Sequence, residues 1–131
     1  MQKEEKQKIE NLLNEYQKSL NTSDAKLVQS LYTKDGIFMP TEAPSGIGSE
    51  GILKSYEYVF SQIKLNIEFF IEEIEVEQNM AYAVTNSRGT VKIHANGIEV
   101  PEANRELFVF EKVDGEWKIA RYMFNKTETK K

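Results

Sequence analysis

The second half of the sequence, from Leu65 onward, alternates apolar and polar residues, and the phase of this alternation changes within a single stretch. The apolar residues take odd positions first and even positions afterwards: Leu65, Ile67, Phe69 and Ile71, then Ile74 and Val76. A period of two predicts β-strands with one buried face. A change of phase requires one extra residue, so we predict a β-bulge near Glu72–Glu73 that bends the strand.

The next stretch shows a similar change of phase around Gly89. Apolar residues take even positions before this glycine and odd positions after it: Met80, Tyr82 and Val84, then Val91 and Ile93. A glycine inside a strand is typical of a bulge or a bend, so we expect a second bend here. The pairs Asn96-Gly97 and Asp114-Gly115 tolerate positive φ at both positions and therefore predict hairpin turns. Together these patterns predict a meander of long, bent antiparallel strands.

The first half of the sequence has helical periodicity instead. Residues 3–20 and 49–62 each carry apolar residues three and four positions apart, which predicts two amphipathic helices. Between them, Ser23 can cap a further helix, and residues 36–40 read as a short strand. The inner stripe of that further helix is predicted to be Leu27, Val28, Leu31 and Tyr32. Helices followed by strands predict an α+β domain, and helices packed on a bent sheet can leave a hollow for a ligand.

Composition excludes several classes of protein. A length of 131 residues fits a single domain over residues 1–131, and a net charge of -4 with a pI near 5.2 argues against nucleic-acid binding. No stretch has the ~18 consecutive apolar residues of a membrane span, and no signal peptide is apparent, so we expect a cytoplasmic protein that does not bind membranes. With no cysteine and with His94 as the single histidine, we expect neither a metal site nor a cofactor.

Two stretches of the sequence together resemble one known family. Residues 12–56 read LLNEYQKSLNTSDAKLVQSLYTKDGIFMPTEAPSGIGSEGILKSY, and residues 105–125 read RELFVFEKVDGEWKIARYMFN. The order of their helices, glycine-containing loop and final Asp-Gly hairpin resembles the SnoaL-like and ketosteroid isomerase-like branch of the nuclear transport factor 2-like superfamily. The resemblance implies a cone-shaped barrel, in which N-terminal helices pack on a strongly curved antiparallel sheet.

The resemblance also implies roles for individual residues. In ketosteroid isomerase an Asp base moves a proton, while a Tyr and a protonated Asp bind the enolate oxygen. Tyr16 stands at the position that resembles the oxyanion tyrosine, and Tyr32 and Tyr56 match the tyrosines that support it. Glu106 matches the protonated Asp. The position of the catalytic Asp is occupied by Met39, whose thioether cannot accept a proton.

Tyr16 and Glu106 are therefore the candidates for a catalytic role, and Glu42, on the loop after Met39, is a further candidate base. Each candidate has an alternative interpretation. The tyrosines can fill the core with their hydroxyls at its edge, and Glu106 can be an exposed strand residue paired with a cation. The cations in reach of such a pair are Arg105, Arg121 and Lys112.

Two hypotheses for function follow. The first is a pocket that binds a small apolar or aromatic metabolite, with or without catalysis. Its predicted lining is Tyr16, Tyr32, Met39, Tyr56, Phe60, Glu106, Phe108, Tyr122 and Phe124. The second is a non-catalytic dimerisation or interaction module of the same fold. Because the resemblance implies homodimers packed through sheet faces, the predicted interface is Phe69, Phe70, Val109, Ile119 and Met123.

Overall fold

The helices of this protein lie mainly in the first half of the chain, and the long strands lie in the second half. A computed structural model describes residues 2–127. Its elements are α1 Gln2–Asn21, α2 Ala25–Ser30, β1 Tyr32–Met39, β2 Gly46–Ile47, α3 Gly48–Gln62, β3 Ile63–Glu77, β4 Met80–Ile93, β5 Glu99–Val113 and β6 Glu116–Lys126. The predicted α+β class is confirmed. No helix within residues 2–127 is long and apolar enough to cross a membrane.

The six strands form one sheet in the order β2-β1-β6-β5-β4-β3. Strands β3 to β6 form the predicted antiparallel meander, but β1 runs parallel to β6, so the sheet is mixed. The prediction of a wholly antiparallel sheet was therefore wrong for this pair. The prediction missed it because β1 is joined to β6 only through the intervening elements, and the pairing of distant strands leaves no local signal. The sheet is not closed: β2 and β3 form its two edges.

The predicted bulge in β3 is confirmed. Pairing of β3 with β4 shifts register between Ile71 and Glu73, which leaves Glu72 as the extra residue. The change of phase predicted at Gly89 is wrong, because β4 keeps one register with both neighbours and its odd positions face inward on both sides of this glycine. The inward residues of β4 are small ones that the apolar pattern did not mark, namely Ala81, Ala83, Thr85 and Ser87.

Helix α2 begins one residue later than predicted, and it ends before Leu31 and Tyr32, the last two residues of its predicted inner stripe. Asp24, not Ser23, is the N-cap residue, and its carboxylate accepts a hydrogen bond from the backbone N–H of Leu27 at 3.1 Å. Ser23 instead takes a left-handed conformation with φ 56°. Tyr32 is the first residue of β1, so its buried ring belongs to the sheet side of the core.

The predicted hairpin turns are both present, with different geometry. Asp114 and Gly115 have φ values of 51° and 81°, as a turn with two left-handed central residues requires. In the other turn only Gly97 has positive φ, at 71°. The Asn96 side chain accepts a hydrogen bond from the N–H of Ile98 at 2.9 Å, as in an Asx-turn.

Side-chain hydrogen bonds hold α1 across the concave face of the sheet. Near its end, Asn21 both donates to the carbonyl of Ile67 and accepts from the N–H of Ile67, each at 2.9 Å. Near its start, the Glu5 carboxylate accepts from Trp117 at 2.7 Å and from Lys112 at 2.8 Å. The hydrogen bonds from Lys112 and Trp117 lower the pKa of Glu5 to about 2. Both ends of the helix are thus fixed over the core.

Candidate functional site

A cavity of about 100 Å³ lies between the concave sheet face and the helices α1 and α3. Most of its lining is apolar or aromatic, and its polar residues come mainly from one face of β5. The lining residues are Tyr16, Leu20, Phe38, Pro40, Tyr56, Val59, Ile63, Leu65, Ile67, Ser87, Glu102, Asn104, Glu106, Tyr122 and Phe124. Alternation along β5 explains this polar face, since residues 102, 104 and 106 point to the same side of the strand.

Three buried tyrosines form a chain of hydroxyl groups beside the cavity. The Tyr56 hydroxyl lies 2.6 Å from that of Tyr16 and 2.7 Å from that of Tyr32. Burial raises the pKa of each of the three well above its ordinary value, so all three hydroxyls stay protonated. The three hydroxyls carry three protons and share two hydrogen bonds, in which either oxygen can donate, so one proton is spare. When Tyr32 donates to Tyr56 and Tyr56 donates to Tyr16, the spare proton is on Tyr16, which lines the cavity.

Glu106 is buried, with 5% of its surface exposed, and faces the same cavity. Its carboxylate accepts hydrogen bonds from the hydroxyls of Thr85, at 2.5 Å, and Ser87. Burial raises the pKa of Glu106, and these two hydrogen bonds partly oppose the shift. The alternative of an exposed Glu106 in an ion pair is therefore wrong.

The cations proposed as partners of Glu106 lie elsewhere. Arg105 donates to the Asn125 side chain at 2.7 Å, Arg121 donates to the backbone carbonyl of Asp35 at 3.2 Å, and Lys112 bonds Glu5. Alternation explains the two arginines, because odd positions of β5 and β6 face away from the cavity near Glu106. Lys112 shares the face of Glu106 but lies six residues farther along β5, beside the start of α1.

The structure brings most of the predicted lining together. Five predicted residues line the cavity directly: Tyr16, Tyr56, Glu106, Tyr122 and Phe124. Three more lie one layer behind them: Tyr32 bonds Tyr56, Phe60 packs 6.0 Å from the Tyr56 ring, and Phe108 stacks on Tyr122 at 4.2 Å. Their contribution to ligand binding stays a prediction.

Met39 is not brought to the cavity. The residue before it, Phe38, faces inward and stacks on Tyr56 with ring centroids 4.4 Å apart. Met39 therefore points to the opposite face of the sheet, where it pairs with Met123. Its predicted place in the lining was wrong by one position, because residues 36–39 are all apolar or glycine and do not alternate with polar residues. Glu42 is exposed on the loop after β1 and does not line this cavity.

The prediction also missed polar residues of the site, of which Asn104 is the most informative. Asn104 is buried, and its side-chain nitrogen donates to Glu102 at 3.1 Å. Its position two residues before Glu106 was the available signal, since both must share one strand face. Thr85 and Ser87 were missed because β4 was assigned the opposite phase.

An α+β domain with N-terminal helices on an open, curved, mixed sheet and a cavity beneath the helices has the cone fold of the nuclear transport factor 2-like superfamily. A solved protein of this superfamily from Salmonella enterica serovar Typhimurium superposes with a TM-score of 0.87 at 20% identity, covering 100% of this chain and 96% of its own. A ketosteroid isomerase-like protein from Erwinia carotovora atroseptica superposes with a TM-score of 0.88 at 28% identity, covering 92% and 95%.

Within this superfamily, the chain belongs to the SnoaL-like domain family, whose model matches residues 9–124. The match includes every residue that lines the cavity. Comparison with curated proteins gave no match. The suspected resemblance is thus confirmed at the level of family and fold.

Proposed function

We propose that this protein binds a small, largely apolar molecule in the cavity, with Tyr16 and Glu106 at the polar end of the ligand. The observation that carries this proposal is the buried Glu106 carboxylate, which faces an otherwise largely apolar cavity and bonds only hydroxyl groups among the described residues. An acidic group buried without a cation is costly to the fold. Such groups concentrate at sites where a ligand or a reaction uses them.

Proton exchange between Glu106 and a bound ligand is the chemistry that this arrangement can perform. Because burial raises its pKa, Glu106 can exchange protons closer to neutral pH than an exposed glutamate. The similarity to a ketosteroid isomerase-like protein supports this chemistry. The isomerase mechanism itself is not proposed, because Phe38, and not a carboxylate, faces the cavity from β1.

Binding in the cavity can be tested by following backbone amide signals in NMR titrations with toluene, cyclohexanone and cyclohexanol. We expect saturable shifts at the amides that surround the cavity. Ile63→Trp should abolish them, because Ile63 lines the cavity and the larger ring fills it. Ile98→Trp, on an exposed turn, is the matched control and should bind like the wild type. If none of the three compounds gives saturable shifts in the wild type, the proposal is wrong.

A second candidate function, a homodimer packed through the sheet, is favoured by the outer face. Four apolar residues lie side by side across neighbouring strands and form an outer stripe, namely Val84, Leu107, Met123 and Met39. Leu107 is 46% exposed and Met123 is 47% exposed. An exposed apolar patch of this kind is typical of an interaction site.

The interface predicted from the sequence changes accordingly. Phe69 packs 5.7 Å from the Tyr16 ring in the core and Ile119 is fully buried, so neither is available on the outer face. Phe70 lies under the guanidinium of Arg88 at 4.4 Å. Val109 and Met123 stay within the proposed surface, since both are on the outer side of the sheet.

We expect Leu107→Asp to convert a wild-type dimer into a monomer in sedimentation experiments at micromolar concentration. A carboxylate in the middle of the outer stripe would have to lose its hydration in the dimer. Ile98→Asp is the control, because Ile98 is also exposed but lies on a turn away from the stripe. A wild-type protein that sediments as a monomer would contradict this second function.

A further inference from the structure

The Asn104 side chain has an oxygen atom that no group in the described part of the chain satisfies. Asn104 is 6% exposed and lines the cavity, and its Oδ1 is buried without a hydrogen-bond partner. An unpaired buried acceptor destabilises the fold, and native proteins contain few of them. A partner supplied by a ligand would remove this cost.

The neighbouring Glu102 determines which end of the Asn104 amide is unpaired. The amide nitrogen donates to Glu102 Oε2 at 3.1 Å, and Lys126 holds the same carboxylate with contacts of 2.9 and 3.1 Å. If the amide were rotated by 180°, its oxygen would face this carboxylate and repel it. The nitrogen must therefore face Glu102, and the free group is an acceptor.

The polar side of the cavity offers acceptors on β5 and a donor on α1. Glu106, two residues along the same face, is a carboxylate, and the hydroxyls of Thr85 and Ser87 already donate to it. Across the cavity, the tyrosine chain has one spare proton, which Tyr16 can present. A hydroxyl group matches this pair, because it donates one hydrogen bond and accepts others. A ketone matches the tyrosine alone and leaves Asn104 Oδ1 unpaired.

The volume of the cavity limits the rest of the ligand. An engineered apolar cavity of about 150 Å³ holds one benzene molecule, and this cavity has about 100 Å³. A single six-membered ring is therefore the largest skeleton that this partly open cavity can take, and a fused-ring skeleton is excluded. The aromatic lining suits such a ring. Within the described residues, no unpaired cation lies beside the acceptors Asn104 and Glu106, so an acidic ligand would have no partner there.

We propose that the ligand of this cavity is a neutral one-ring alcohol or phenol whose hydroxyl donates a hydrogen bond to Asn104 Oδ1. This inference rests on the proposed function, because it requires that the cavity binds a small molecule. It assigns a recognition role to Asn104, and it selects hydroxylated ligands over their ketone counterparts.

The test compares cyclohexanol with cyclohexanone, which share one ring and differ in the hydrogen-bond donor. We expect the wild type to bind cyclohexanol roughly tenfold more tightly than cyclohexanone, as one unpaired buried acceptor predicts. Asn104→Leu removes the acceptor and keeps a similar shape, so the preference should fall to within about twofold while cyclohexanone still binds. Asn125→Leu, on the exposed part of β6, is the matched control and should keep the wild-type preference.

The other possible results would overturn the role of Asn104, the proposed function, or both. Equal wild-type affinities, or an undiminished preference in Asn104→Leu, would overturn the role of Asn104 and leave the cavity proposal standing. An Asn104→Leu variant that is folded by its amide spectrum but binds neither compound would also overturn it, because Asn104 would then maintain the shape of the cavity. If the wild type binds neither these compounds nor toluene, the proposed function fails with it.

Discussion

Replacing Gly89 by alanine is expected to lower the free energy of unfolding by about 2–4 kcal/mol, through overpacking and backbone strain. A Cβ at this position would lie 2.1 Å from the carbonyl oxygen of Asn66 and 2.8 Å from the Cα of Ile67, both backbone atoms of β3. These atoms have little freedom to withdraw, because Asn21 of α1 holds the Ile67 backbone by two hydrogen bonds. Thermal unfolding should show a decrease in Tm of roughly 6–15 °C.

Gly51→Ala is the matched control, and its expected effect has the opposite sign. A Cβ at Gly51 would have its nearest neighbour 3.6 Å away, which is an ordinary contact, and Gly51 lies in the first turns of α3. Alanine is favoured over glycine in a helix by about 0.5–1 kcal/mol, so this variant should be slightly more stable than the wild type. A Gly89→Ala protein as stable as Gly51→Ala would show that β3 and β4 are not as close as described.

Strands β3 and β4 show how much of the fold could be predicted from the sequence. The bulge in β3 could be read from the sequence, because large aliphatic residues change phase there and leave one extra residue at Glu72. The same reasoning failed in β4, where the large residues Met80 and Tyr82 are exposed and the inward positions carry small side chains. From Ala81 to Ser87, small size and not hydrophobicity therefore marks the inner side of β4.

The candidate site was predictable to a similar extent. The resemblance placed Tyr16, Tyr56 and Glu106 at the cavity, and alternation placed Tyr122 and Phe124 on one face. The phase of β1 was not readable, so Met39 was chosen in place of Phe38. The unpaired oxygen of Asn104 depends on which atoms of Glu102 and Lys126 reach its amide, and such three-dimensional detail leaves no trace in the sequence.

A large loss of stability is also expected when the central hydroxyl of the tyrosine chain is removed, because this hydroxyl joins the other two. Removing the Tyr56 hydroxyl in Tyr56→Phe breaks both hydrogen bonds and leaves the buried hydroxyls of Tyr16 and Tyr32 without this partner. We expect a loss of about 2–5 kcal/mol in the free energy of unfolding, since each buried unpaired group costs roughly 1–3 kcal/mol. Removing the terminal hydroxyl in Tyr32→Phe should cost only about 0.5–1.5 kcal/mol, because the bond between Tyr16 and Tyr56 remains.

The double variant makes this prediction specific to a chain of hydroxyls. In the Tyr56→Phe protein the Tyr32 hydroxyl is buried and unpaired, so adding Tyr32→Phe removes an unfavourable group and should leave stability unchanged or raise it. The same substitution in the wild type removes a favourable hydrogen bond and should lower stability. Chemical denaturation of the four proteins measures both effects. If Tyr32→Phe destabilises both backgrounds equally, the two hydroxyls act independently, and Tyr16 would no longer be expected to present a spare proton to the cavity.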